Sequence, residues 1–162
     1  HYCQLRVNHM DATDRQILDA LQVDATLTAQ EIAARIGQSE EACAARIAKL
    51  EETGVIEARV ALLNPSKVGA KMTVFVAITT PEHSQEWLET FHNAVESFPE
   101  VLEFYRMTGQ VDYLLRVVVP DIEAYDIFYK KLIAAAKLKD ISSTIAMEQI
   151  KFSTRLPIAE DD

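Results

Sequence analysis

"TAQEIAARIGQSEEACAARIAKLEETGVI", Thr28 to Ile56, holds two runs of helical spacing separated by a glycine and a new capping residue. Thr28 and Glu31 have the spacing of a capping box, in which each side chain satisfies a backbone N–H of the other. Ile32, Ala33 and Ile36 then form one apolar stripe. Gly37 follows where a helix end needs positive φ. Ser39 caps the next helix, on which Cys43, Ile47 and Leu50 fall at i, i+4 and i+7 and face inward. Gly54 ends it. Two short helices joined through a glycine turn are the geometry of a helix-turn-helix, whose second helix enters the DNA major groove. The same spacing also suits two packed helices of a small bundle, so what surrounds it matters.

Upstream, Ile17, Leu18 and Leu21 share a face of a first helix, with Asp11 or Thr13 as its cap and Asp14 in its first turn. The first nine residues, "HYCQLRVNH", share no pattern with the rest, and His9-Met10 is what the cloning sequence CATATG encodes. Met10 is therefore expected as the native start, with residues 1–9 a cloning remnant. That removes Cys3 from functional argument. Cys43, with no nearby Cys or His partner, is expected as a small buried apolar residue rather than a zinc ligand or disulfide half.

Downstream the composition changes. A strand from Val55 to Leu63 is expected to act as a hinge, breaking at the turn Asn64-Pro65, so that residues 10–54 form the helical domain and 55–70 the hinge and linker. "KMTVFVAITT", Lys71 to Thr80, is a β-branched and aromatic run. Ser84 caps a helix with Trp87, Phe91, Val95 and Phe98 on one face. "VLEFYRMTG" and "DYLLRVVVP" read as two strands of a hairpin joined through Gly109, Gln110 and Val111. Asp121 caps a helix carrying Tyr125, Phe128, Leu132 and Ala135, and a last strand is expected over Ile141 to Ser153. The order β-α-β-β-α-β predicts a ferredoxin-like domain over residues 71–162, giving an α+β chain. Met72, Val74, Val76 and Ile78 make one apolar row in the first strand, and the strand from Tyr113 is apolar on both faces. With helices enough for one face only, a second copy of the chain is expected on the other.

These residues carry a resemblance. "DATDRQILDALQVDATLTAQEIAARIGQSEEACAARIAKLEETGVI", "ALLNP", "MTGQVDYLLRVVVPD" and "MEQIKFSTRLP" resemble, in order and from Asp11 to Pro157, the Lrp/AsnC (leucine-responsive and asparagine-responsive) feast/famine transcription regulators. Within that family the chain looks most similar to a subgroup associated with L-cysteine response. The resemblance implies an N-terminal helix-turn-helix, a hinge strand, and a C-terminal domain that binds an amino acid between subunits. It further implies a homodimer that assembles into a tetramer or octamer, with double-stranded DNA as the macromolecular partner.

Family members usually carry Ser-Pro-x-Pro-Cys at the start of the recognition helix. Here Ser39 and Cys43 remain, but Glu40, Glu41 and Ala42 lie between them. The residues expected at DNA are Ser39, Glu40, Glu41, Ala45, Arg46 and Lys49, with Arg46 matching the family's arginine. A glutamate can accept from cytosine N4, and acids also suit a helix N-terminus. The effector positions implied are Met107, Gly109, Gln110, Asp112, Thr144 and Ala146. Asp112 offers an acceptor for an ammonium, and backbone N–H groups at Gly109 and Gln110 offer donors for a carboxylate. L-cysteine or another small neutral amino acid is the expected effector.

Charge bears on mechanism. The chain is formally -9, and from Met10 to Asn64 ten acids face five bases. Few bases mean weak nonspecific DNA affinity and a shallow salt dependence, so binding is expected to depend on the avidity of the assembly. The acidic half also suits a rival reading, an amino-acid sensor acting on a protein partner. No catalytic signature such as GxSxG, HExxH or a P-loop is present, and His83 and His92 lack spaced partners, so no enzyme, cofactor or metal is expected. No leader and no run of about 18 apolar residues is seen, which predicts a cytoplasmic protein without a membrane span.

Overall fold

A computed structural model describes residues 10–81 and 84–158. The expected cloning remnant and His83 lie outside the described residues. The chain divides into two compact units, one built from residues up to Ala61 together with those from Lys151, the other from Leu62 to Ile150.

In the first unit, α1 (Ala12–Val23), α2 (Ala29–Ile36) and α3 (Glu40–Glu52) form where the apolar periodicity placed them. Asp11 caps α1 and closes a box with Asp14, and Thr28 does the same for α2 with Glu31. Gly37 turns the chain at φ 69°, a conformation a β-carbon would strain, and Ser39 starts α3 two residues later. Ile17, Leu18, Leu21, Leu27, Ile32, Ala33, Cys43, Ile47 and Leu50 make one core. Cys43 is free and fully buried within it.

The strand expected over Val55 to Leu63 does not form. A strand needs a second backbone beside it, and among the described residues Ile56 N–H, bonded to Leu50 C=O, is the segment's one backbone hydrogen bond outside helices and strands. Val60, Leu62 and Leu63 stay exposed, while Arg59 binds Ala25 C=O at 3.0 Å and Glu51 at 2.9 Å.

The second unit is a four-stranded antiparallel sheet of β1 (Met72–Thr79), β2 (Val101–Arg106), β3 (Tyr113–Val119) and β4 (Asp140–Ile145), with α4 (Gln85–Glu96) and α5 (Ile122–Ala135). Its order is β2-β3-β1-β4, and every neighbouring pair is antiparallel. Val74, Val76 and Ile78 of β1 and Tyr113, Leu115, Val117 and Val119 of β3 pack with Trp87, Phe91, Val95, Tyr125, Phe128 and Leu132 of the helices. The alternate residues of the central strands, Phe75, Ala77, Leu114, Arg116 and Val118, lie on the opposite face and are not buried. Arg116 there holds Glu103 of β2 at 2.7 Å, and Ser142 and Thr144 of β4, opposite Ala77 and Phe75, add hydroxyls beside the apolar centre of this face.

The last strand is shorter than the expected Ile141 to Ser153. Ala146 N–H bonds Thr73 C=O at 2.9 Å, and β1 begins at Met72, so nothing remains beyond it for the chain to pair with. Met147 and Ile150 are almost fully exposed. The expected 71–162 domain likewise ends early. Residues 151–158 belong to the helical unit, where Arg155 meets Asp19 at 3.0 Å and Ile158 packs against the core. Among the described residues no helix is long and apolar enough to cross a membrane.

Candidate functional site

The inner face of α3 is locked into the core by Cys43, Ile47 and Leu50, which leaves the opposite face to solvent. That outer face carries Glu40, Glu41, Ala44, Ala45, Ala48 and Lys49, all exposed. Ser39 Oγ accepts Ala42 N–H at 3.1 Å, so its hydroxyl is occupied as a cap. Unlike α1 and α2, α3 begins without a reciprocal box, and Glu40 and Glu41 sit in its first turn beside the positive end of the helix dipole.

Arg46 stands apart from the other expected contacts. Its Nη1 donates to Asp11 Oδ2 at 2.7 Å and to Asp14 Oδ1 at 2.8 Å, tying the middle of α3 to the start of α1. Asp11's carboxyl is held below its usual value, first by the backbone N–H of Asp14 and then by Arg46. Arg46 is held correspondingly above its own, by Asp14 and then Asp11. Both bonds are made by Nη1, so swinging that nitrogen to a phosphate would break both ion pairs. The sequence signal for this arrangement was the pair of acids three residues apart at the start of α1, whose tertiary partner no local pattern names.

The six effector positions fall into two groups. Met107 N–H donates to Asp112 C=O at 2.8 Å and Asp112 N–H to Ile78 C=O at 2.9 Å, so the 107–112 loop is pinned at the end of β1. Gly109 lies at φ 115° there, and Asp112 Oδ2 accepts Thr80 N–H at 2.8 Å, leaving Oδ1 as the carboxylate's second acceptor. Gln110 is exposed. Thr144 instead pairs with Phe75, and Ala146 N–H bonds Thr73, towards the other end of β1. Thr73 lies five steps along the strand from Ile78, roughly 17 Å, and Phe75 three steps, roughly 10 Å. Within one chain the two groups do not meet.

One groove was not anticipated from the sequence. It lies between α4 and β2, floored by Leu88, Phe104 and Tyr113 and edged by His92 and Arg106. Among the described residues no group of acids, histidines and cysteines could hold a metal ion.

Comparison with known proteins accounts for both units. Residues 10–51 match the AsnC-type helix-turn-helix domain, and residues 73–156 match the Lrp/AsnC ligand binding domain. This chain belongs to the Lrp/AsnC family of transcriptional regulators. It is 49% identical over 154 residues to a glutamate uptake regulatory protein of Zymomonas mobilis, covering 95% of this chain and 94% of that one. It is 45% identical to the DNA-binding transcriptional activator DecR of Escherichia coli, over 92% of this chain and 99% of the relative. Among solved structures, an AsnC family regulator from Agrobacterium tumefaciens superposes with TM-score 0.88 at 59% identity, covering 91% of this chain and 97% of that one. A Neisseria meningitidis regulator in complex with L-Met superposes with TM-score 0.86 at 32% identity, over 91% and 96% of the two chains. As a member of the Lrp/AsnC family, the chain is a DNA-binding regulator of amino-acid metabolism, with the helix-turn-helix in one unit and the ligand-binding fold in the other.

Proposed function

We propose that this Lrp/AsnC regulator lays the outer face of α3 in the major groove and alters its DNA occupancy when a small neutral amino acid binds between subunits. The observation that carries the first half is the exposed row on α3, with Glu40, Glu41, Ala45 and Lys49 outward while Cys43, Ile47 and Leu50 anchor the helix. Alanine methyls suit thymine methyl groups, a glutamate suits cytosine N4, and Lys49 suits a phosphate. Ser39 serves as the cap that sets the helix start.

The effector reading is supported by the spacing of its parts. Met107, Gly109, Gln110 and Asp112 lie too far along the sheet from Thr144 and Ala146 to act together in one chain, so a shared site requires a second copy. The positions hold one carboxylate and no base, which suits the ammonium of a neutral amino acid, with the carboxylate taken by backbone N–H groups. L-cysteine is one such ligand, and the L-Met complex of the Neisseria relative is consistent with the class. The open sheet face around Phe75, Leu114 and Val118 is covered in this reading by the partner of a homodimer, with tetramers or octamers built from dimers. The chain works in the cytoplasm and carries out no reaction.

Genome-wide DNA occupancy with and without added amino acids tests the proposal. Discrete sites whose occupancy shifts with a neutral amino acid are expected. If no site is enriched while the protein is recovered with a protein partner, the rival reading suggested by the acidic helical unit is correct. Calorimetry against a panel of amino acids identifies the ligand, and heat from acidic or basic members alone would overturn the neutral class.

A further inference from the structure

We infer that Arg46 is a positioning residue for DNA recognition, one that sets the rotation of α3 by bridging it to α1, and that it makes no phosphate contact of its own. The inference rests on the reading of α3 as the groove-entering helix.

The atoms around Arg46 are used without overlap. The capping box of α1 takes Asp11 Oδ1, which accepts Asp14 N–H at 2.9 Å, and Asp14 Oδ2, which accepts Asp11 N–H at 3.2 Å. Arg46 takes the two oxygens left over, Asp11 Oδ2 and Asp14 Oδ1. Two backbone N–H groups and one guanidinium nitrogen thus occupy all four oxygens of the acid pair. Because the box orients both carboxylates, their two remaining oxygens form a seat for Arg46 Nη1.

The seat matters because of where Arg46 lies on its helix. Ile47, the next residue, and Cys43, three before, are core residues, so Arg46 marks the boundary between the packed and outward faces of α3. An apolar row such as Cys43, Ile47 and Leu50 resists separation of helices but resists small rotations about the helix axis weakly. A charge-assisted bond at the flank of that row does resist them, since rotation lengthens it directly. A rotation of this kind would shift Glu41, Ala45 and Lys49 together across the base edges. Electrostatics agree with the assignment. If Arg46 swung to a phosphate, two adjacent carboxylates would be left without a countercharge beside the DNA.

The test uses full-length protein, its best-bound duplex selected from a random library, and a scrambled duplex, with affinities measured by fluorescence anisotropy across salt concentrations. For Arg46→Gln and for Asp14→Asn we expect the ratio of selected to scrambled affinity to fall about tenfold. The double variant should be no worse than either single one, because both cut the same bridge. The slope of log affinity against log salt should be unchanged. The result that overturns the inference is a slope reduced by about 0.9 in Arg46→Gln, as loss of one phosphate contact requires, together with tighter binding to both duplexes by Asp14→Asn. Circular dichroism checks that each variant is folded, and Asp14→Asn, which keeps an acceptor for Asp11 N–H, answers the question if Arg46→Gln is not. Wild-type protein that selects no duplex would instead bring down the reading of α3 itself.

Discussion

The side-chain amide of Gln22 binds both backbone groups of Leu156, its N–H and its C=O. Its Oε1 accepts Leu156 N–H at 2.6 Å, and its Nε2 donates to Leu156 C=O at 3.2 Å. The chain that leaves the sheet at Ile145 is thereby fastened onto the helical unit 134 residues away in sequence. Gln22→Ala should cost about 1–2 kcal/mol, from two lost hydrogen bonds. It should also expose Lys151 and Arg155 to trypsin. Unchanged cleavage rates and an unchanged denaturation midpoint would show that the grip is incidental.

Phe75 lies on the open sheet face and is 38% exposed, so Phe75→Asp should leave the fold intact while placing a charge where a partner subunit is proposed. Light scattering after gel filtration should show assemblies reduced to monomers. Assemblies of wild-type mass would place the interface elsewhere.

Asp112 has two separable roles. Its Oδ2 holds Thr80 N–H, which an asparagine can still do, whereas its charge is what an ammonium would need. Asp112→Asn should therefore weaken amino-acid binding at least tenfold, about 1.4 kcal/mol, with little change in melting temperature. Equal affinity by calorimetry would remove Asp112 from the site.

Glu41→Lys should raise affinity for unrelated duplexes and steepen the salt dependence by about 0.9, since it adds a phosphate contact at the reading face. Broader binding would mean that the acid discriminates among sequences. If the variant only destabilises the helix, by about 0.3–1 kcal/mol through the helix dipole, the acid acts as a cap.

Acid should loosen the helical unit first. Asp11, Asp24 and Glu31 are all held below their usual values, chiefly by Asp14 N–H, by the Thr26 hydroxyl and by Thr28 N–H respectively. A carboxyl whose folded pKa is depressed contributes stability above its unfolded value and loses it as pH falls through the folded one. Amide exchange at the starts of α1 and α2 should therefore rise as pH drops below about 4, ahead of the sheet, in which Glu103 is the one such group among the described residues. Simultaneous loss of both units would contradict this.

The features legible in the sequence are those set within a few residues. Asp11 with Asp14, Thr28 with Glu31 and the Ser39 cap act over three positions. The rows Ile17, Leu18, Leu21 and Cys43, Ile47, Leu50 follow the helical period, and the β-branched run of Met72 to Thr79 announces a strand whatever its neighbours. The order of those elements was enough for the ferredoxin-like arrangement, and the motifs were enough for the family.

What only the tertiary structure decided depends on partners distant along the chain. Arg46 is expected at DNA because it matches the family's arginine, and its ion pairs with the start of α1 are no part of that match. Its guanidinium is taken by carboxylates 32 and 35 residues earlier. Val55 to Leu63 has the composition of a strand, but composition cannot supply the second backbone that a ladder requires. β4 stops where β1 runs out, a fact recorded in the register of two strands and in neither one alone. The Leu156 segment reads as the end of the ferredoxin-like domain until Gln22 of the helical unit is seen to hold it. Local propensity and spacing therefore determined the elements and their order, while hydrogen bonds between remote groups, invisible to any short window of sequence, decided where strands end and which charges remain free to act.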